Sequence, residues 1–350
     1  MNWSDLPERG VRWFDDHQMQ RRWLAQPVGT IRKYADDRGS AFAGLVTFQI
    51  FLGMLPLLVV ALTVLSCVIA DSEELKEAVL DSALGQFPIL GDRIEEDIDT
   101  IAATGIWLWI TIAGLLWTAA GIYHGMQLAM NQVWNVEGVH RQGFVSRHVR
   151  ALILFVLVFA AAIGTSLLDT TPLVGWGPGW LQFAWSVLLG SVIAAGLLFF
   201  VFRIVTSPII PTRQLVPAAI AAGIAWQVLQ RIGTWIVLDR LSEAQDLYGT
   251  IGFVVVVLFW INLLARSAIL ANEMSVVWFR GLWPRRIAQP PLTEADRLAL
   301  EGLVRNEHRR PEQHIEISWD DDEDDDERDG EADDEQDEDR AERAGHAARP

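Results

Sequence analysis

Apolar positions in this 350-residue chain are gathered into six long runs separated by polar or turn-forming stretches. Several runs reach the roughly 20 residues that a helix needs to cross a hydrocarbon layer about 30 Å thick. The pattern predicts spans at residues 41–70, 105–130, 151–168, 181–205, 215–238 and 249–279. Lipid satisfies no backbone polar group, so such spans are helices, and the predicted fold is an all-α, six-helix polytopic membrane protein. Pro56 removes a backbone donor from the first run and predicts a kink there. Between the runs lie a Gly- and Pro-rich turn at 169–180, a connector at 206–214 containing Pro208 and Pro211, and a polar loop from Asp239 to Tyr248.

The remaining stretches follow other patterns. Residues 71–104 read as two short amphipathic helices, carried by Leu75, Val79 and Leu80 and then by Ile94, Ile98 and Ile101. In residues 1–40, Trp3, Trp13, Trp23 and Ile31 alternate with Arg9, Arg12, Arg21, Arg22, Arg32, Lys33 and Arg38. That mixture suits an interfacial helix, apolar side toward lipid and cations toward headgroups. A nucleic-acid arm has the same composition, but a span begins directly after it. Thr293 followed by Asp296 predicts a capped helix within the cytoplasmic segment 280–319.

The formal charge of −17 changes meaning once it is divided along the chain. Residues 320–350 hold 17 Asp and Glu against 4 Arg, so this tail carries most of it. Such a tail buries too little apolar surface to offset its ordering entropy and is expected to be disordered. It is either a solvated tail or a docking segment for a basic protein partner. Lys and Arg gather in the N-terminus, the connectors 131–150 and 206–214, and the region after 279. The alternate loops hold only Lys76, Arg93 and Arg240, which places both termini in the cytoplasm of an inner-membrane, multi-pass protein. No cleavable signal peptide is expected, because the first apolar run is too long for one. The lone Cys67 allows no intrachain disulfide and reads as a packing residue.

Catalytic and metal-binding patterns are missing from the sequence. The seven histidines form no paired ligand motif, and no phosphate-binding loop occurs. Neither a cofactor nor a metal is expected, and the chain is not read as an enzyme. What stands out is polar chemistry at membrane depth, which is costly and therefore functional by default. His124, Gln127 and Asn131 share one helical face, where they either line a vestibule or bridge helices. Gln227 and Arg231 lie one turn apart in the fifth span, and Asn262, Arg266 and Glu273 share a face of the sixth. Counted from the inner helix ends, Arg231 and Arg266 come out at similar depth, which predicts a central cationic site for an anionic solute or a lipid headgroup.

Four blocks resemble the YihY/BrkB family of bacterial six-helix inner-membrane proteins. They are Gly44 to Pro56; Leu116-Trp-Thr-Ala-Ala with Met130-Asn-Gln-Val-Trp-Asn-Val136; Pro211 to Pro217; and Tyr248-Gly-Thr-Ile-Gly-Phe through Trp260 with Leu270-Ala-Asn-Glu273. The resemblance covers about residues 30–280. Departures fall at Phe48, Gln49 and Gly53, and at Ala271-Asn272-Glu273, where members often carry Gly-Ala-Glu. Members have been labelled a ribonuclease, or linked to serum resistance or lipid passage. A ribonuclease finds no support in this chain, whose acidic tail would repel RNA. The resemblance and the polar spans together imply a transporter or lipid-translocating protein in envelope biogenesis, with membrane lipids as partners and no nucleic acid. The alternative is a non-transporting scaffold that recruits envelope proteins.

Overall fold

The computed structural model describes residue 13 and residues 15–69, 105–138, 144–169, 179–287 and 292–319. The amphipathic pair expected at 71–104, most of the turn at 169–180 and the acidic tail lie outside the described residues.

The first long element, α1 (Arg22–Asp36), is amphipathic. Ala25, Gly29 and Lys33 recur every four residues on its buried face, with Thr30 beside them. Trp23, Pro27 and Ile31 form the opposite, exposed stripe. A short turn leads into α2 (Gly39–Ile69), and then come α3 (Gly105–Val133), α4 (Phe144–Asp169), α5 (Gly179–Val205) and α6 (Thr212–Arg280). The third predicted span is extended backward, because α4 takes in residues 144–150. Arg150 is thereby placed to donate to the Ile204 carbonyl at 3.3 Å, a cation at the negative end of α5.

Residues 212–280 are helical throughout, including 239–248, where a polar loop was expected. A straight helix of that length would extend roughly 100 Å. Its two ends nevertheless touch: the Ser275 hydroxyl donates to the Gln214 carbonyl at 2.5 Å. Further along, Gly233 lies against the Trp260 ring. The element is therefore a helical hairpin that reverses between Gly233 and Trp260, and its two arms occupy the places of the fifth and sixth predicted spans.

Small residues set the distances between helices. A Cβ at Gly53 would come within 2.9 Å of Ile122, and one at Gly121 within 2.7 Å of Gln49, so α2 and α3 meet closely. At Gly223 a Cβ would sit 2.7 Å from the Ala195 nitrogen, which brings α5 against the first arm of α6 almost backbone to backbone. Large apolar side chains point outward, among them Trp117, Val192 and Phe259. Three described segments are long and apolar enough to cross a membrane: Ala184–Val205, Thr212–Gly233 and Val254–Arg280. Shorter apolar helical stretches occur at Gly39–Met54 and His148–Val158.

Both terminal segments pack at one end of the bundle. Gly281, left-handed at φ 67°, stops α6. The chain then places Arg285 in the interior, 2.7 Å from Asp36 and 2.8 Å from Asp296. Gln18 donates to the Arg285 carbonyl at 2.7 Å, and the Ile287 amide donates to Asp15 at 2.8 Å. Helix α7 (Glu294–Asn306) opens with a capping box between Thr293 and Asp296 and docks through Asn306, which donates to Gln132 at 2.7 Å.

Candidate functional site

Where the bundle helices converge they line a partly open cavity of about 530 Å³, within the range of small-molecule sites. Its wall draws on α2 through α5 and on both arms of α6, with Met54, Ile122, Phe155, Leu198, Trp226 and Leu264 supplying bulk. Among the described residues two hydroxyls reach it, and each is committed to its own helix. Thr118 donates to the Gly114 carbonyl at 3.0 Å, and Ser267 to the Leu264 carbonyl at 2.8 Å. Among the described residues this wall offers dispersion contacts and no counter-charge, which suits a hydrocarbon chain better than a bare ion.

The predicted polar residues are distributed around this cavity rather than inside it. Arg231 is exposed, its Nη2 3.4 Å from the Ser186 hydroxyl. Gln227 lies across Gly190, wedged between α5 and α6. Arg266 is exposed too. The two arginines are less level than the counting suggested. Ser275 opposite Gln214, and Trp260 opposite Gly233, put Arg231 level with about residue 260, so Arg266 is roughly 9 Å closer to the capped end. They do not form one central pair.

The face shared by Asn262, Arg266 and Glu273 turns toward α1 and α2. Asn262 donates to the Thr47 hydroxyl at 3.1 Å. Glu273 is wholly buried and pairs with Lys33 at 2.8 Å. The Lys33 ammonium also donates to Asp37 and, at 2.8 Å, to the Val133 carbonyl, so one cation sits between two carboxylates and a helix-end carbonyl. Nearby, Asn272 accepts from the Trp134 indole at 3.4 Å, and Arg280 donates to the Asn135 side chain at 3.2 Å. The charges of Asp37 and Glu273 both reach Arg280, giving two cations against two carboxylates. This cluster fastens α1 to the ends of α3 and α6.

On α3, Gln127 and Asn131 are buried, whereas His124 is exposed on the same helix. Lys33 and Asp37 were missed by reading the sequence, because Lys33 looked like one more interfacial cation. Their i, i+4 spacing was the available signal. Tyr34, the neighbour of Lys33, keeps its hydroxyl buried without a hydrogen bond among the described residues. Burial pushes its phenol up from the ordinary tyrosine value; the Arg266 charge opposes that shift and Glu273 adds to it. Among the described residues no group of His, Cys, Asp and Glu is arranged to hold a metal.

A family model described as Virulence factor BrkB matches residues 30–286. No curated protein and no solved structure matches the chain. The matched region begins within α1 and ends just past α6, so it takes in the cavity and the Lys33 cluster together. Apolar helices and a family match over more than half the chain lead to one assignment: this is an integral membrane protein, and it belongs to the virulence factor BrkB (YihY/BrkB) family.

Proposed function

We propose that this protein moves a lipid across the bacterial inner membrane, holding an acyl chain in the bundle cavity. The observation that carries this reading is the apolar wall, whose two hydroxyls are both committed to their own backbones. An anionic solute passing through the same space would leave its charge without partners at a cost of several kcal/mol. In this reading six helices cross the membrane, both termini face the cytoplasm, and the protein acts without catalysis or a cofactor.

Filling the cavity is the direct test. Ala119 and Ala268 both line it, and phenylalanine at each position would occupy the space without removing a polar contact. Purified protein in vesicles carrying a headgroup-labelled phospholipid should speed the appearance of label in the opposite leaflet, and A119F/A268F should bring the rate back to that of empty vesicles. Wild-type protein that adds nothing to the empty-vesicle rate would overturn the proposal.

The second reading, a scaffold without transport, draws on the folded cap made by α1, the segment after α6 and α7. It predicts that A119F/A268F leaves the phenotype of a deletion strain fully complemented, while loss of α7 abolishes complementation.

A further inference from the structure

Arg266 stands apart from the other buried-end cations. Lys33 and Arg285 are inside and paired with carboxylates, whereas Arg266 is exposed on the side of a segment long enough to cross the membrane. It makes no hydrogen bond or ion pair with another described residue, yet its charge acts on Tyr34. An exposed guanidinium at membrane depth needs an anion or water.

The surroundings say which anion fits. The contact of Asn262 with Thr47, and that of Glu273 with Lys33 four residues before Asp37, set α2 and the second arm of α6 antiparallel. Arg266 then falls level with Gly44, which is exposed and faces open space: a Cβ there would meet nothing within 4 Å. Farther from the capped end the same groove is bordered by Phe48 and Phe259, which are 58% and 63% exposed. The groove thus runs from a cation at its upper end to aromatic and open apolar surface below, the polarity order of a phospholipid.

We propose that Arg266 holds the phosphate of an anionic phospholipid lying in the lateral groove between α2 and the second arm of α6. The guanidinium fork matches phosphate in bidentate geometry. This deepens the lipid reading by giving the headgroup a place that the apolar cavity lacks, and it rests on that reading only for its link to transport.

The test uses the full chain in detergent, with bound lipid counted by native mass spectrometry during titration with phosphatidylglycerol or phosphatidylcholine. Wild-type protein should prefer phosphatidylglycerol by at least about fivefold, the scale of one cation acting on an anionic lipid. R266Q should erase that preference, and R266K should keep part of it. R213Q, which removes an exposed cation at the same end of the bundle, should leave it intact. Because Arg266 is exposed, an unchanged melting temperature will show that R266Q is folded. A preference that survives R266Q, or one that R213Q erases equally, overturns the site. So does displacement of the lipid by millimolar inorganic phosphate, which would mark a pocket for the free ion. If wild-type protein translocates no lipid yet shows an Arg266-dependent preference, the transport reading fails and this one stands.

Discussion

Replacing Lys33 with methionine should cost more stability than any single change on the surface of α1. The ammonium is almost fully enclosed, at 3% side-chain exposure, and Glu273 opposite it is at 0%. Methionine keeps most of the side-chain volume but leaves Asp37 and Glu273 facing each other without a cation between them, and orphans the Val133 carbonyl. Breaking one partner out of a buried ion pair costs about 3–5 kcal/mol. For a domain of this size each kcal/mol moves the melting temperature by roughly 2–4 °C, so a fall of about 6–20 °C is expected. The assay is thermal unfolding of the detergent-solubilised protein, followed by intrinsic tryptophan fluorescence. The triple variant K33M/D37L/E273L separates charge from packing. An apolar replacement of the whole cluster should recover most of the loss, because the desolvation cost of the carboxylates disappears with them. A fall of less than about 2 °C in K33M would refute the claim that this ammonium is the shared counter-ion of both acids.

Two further outcomes follow from the cap and from the helix contacts. Burial alone would raise the Asp296 carboxyl, but Arg285, the Thr293 hydroxyl and the amides of Arg286 and Thr293 outweigh it and hold its pKa below the ordinary aspartate value. With the folded value depressed, its contribution is complete above the unfolded pKa of about 3.9 and disappears as pH falls through the folded value. Limited proteolysis by an acid protease should accordingly cut between α6 and α7 only at strongly acid pH in wild type, and at neutral pH, with a neutral protease, in D296N. At Gly223, valine would drive a side chain into the Ala195 backbone, and the overpacking should cost about 1–3 kcal/mol, read as a lower melting temperature. Equal melting temperatures for G223V and wild type would contradict the close approach of α5 and α6.

The apolar runs revealed the helices of the bundle because burial in lipid leaves a length signature that needs no tertiary information. Thr293 was equally legible, since a capping box is a local exchange between residues three apart. The cavity was not legible: Leu198 and Leu264 read the same in a packed core as in the wall of an empty space. The depths of Arg231 and Arg266 were misjudged because they were counted from the ends of two runs, whereas the second arm of α6 continues past the level of Gln214 to meet α1. The stretch 239–248 looks like a loop because it is polar, and composition alone does not tell polar helix from irregular chain. Lys33 was hidden among similar cations, since its partner Glu273 is far away in sequence and only the fold brings the two together.

That separation has a consequence for biosynthesis. Lys33 leaves the ribosome long before Glu273, by roughly 10–50 s at ordinary elongation rates. Through that interval its charge must stay at the aqueous surface, matched only by Asp37 beside it. The cluster closes when the last arm of α6 arrives, so its formation marks the moment at which the inserted chain becomes a finished bundle, and a nascent protein stalled before residue 273 would still expose α1 to degradation.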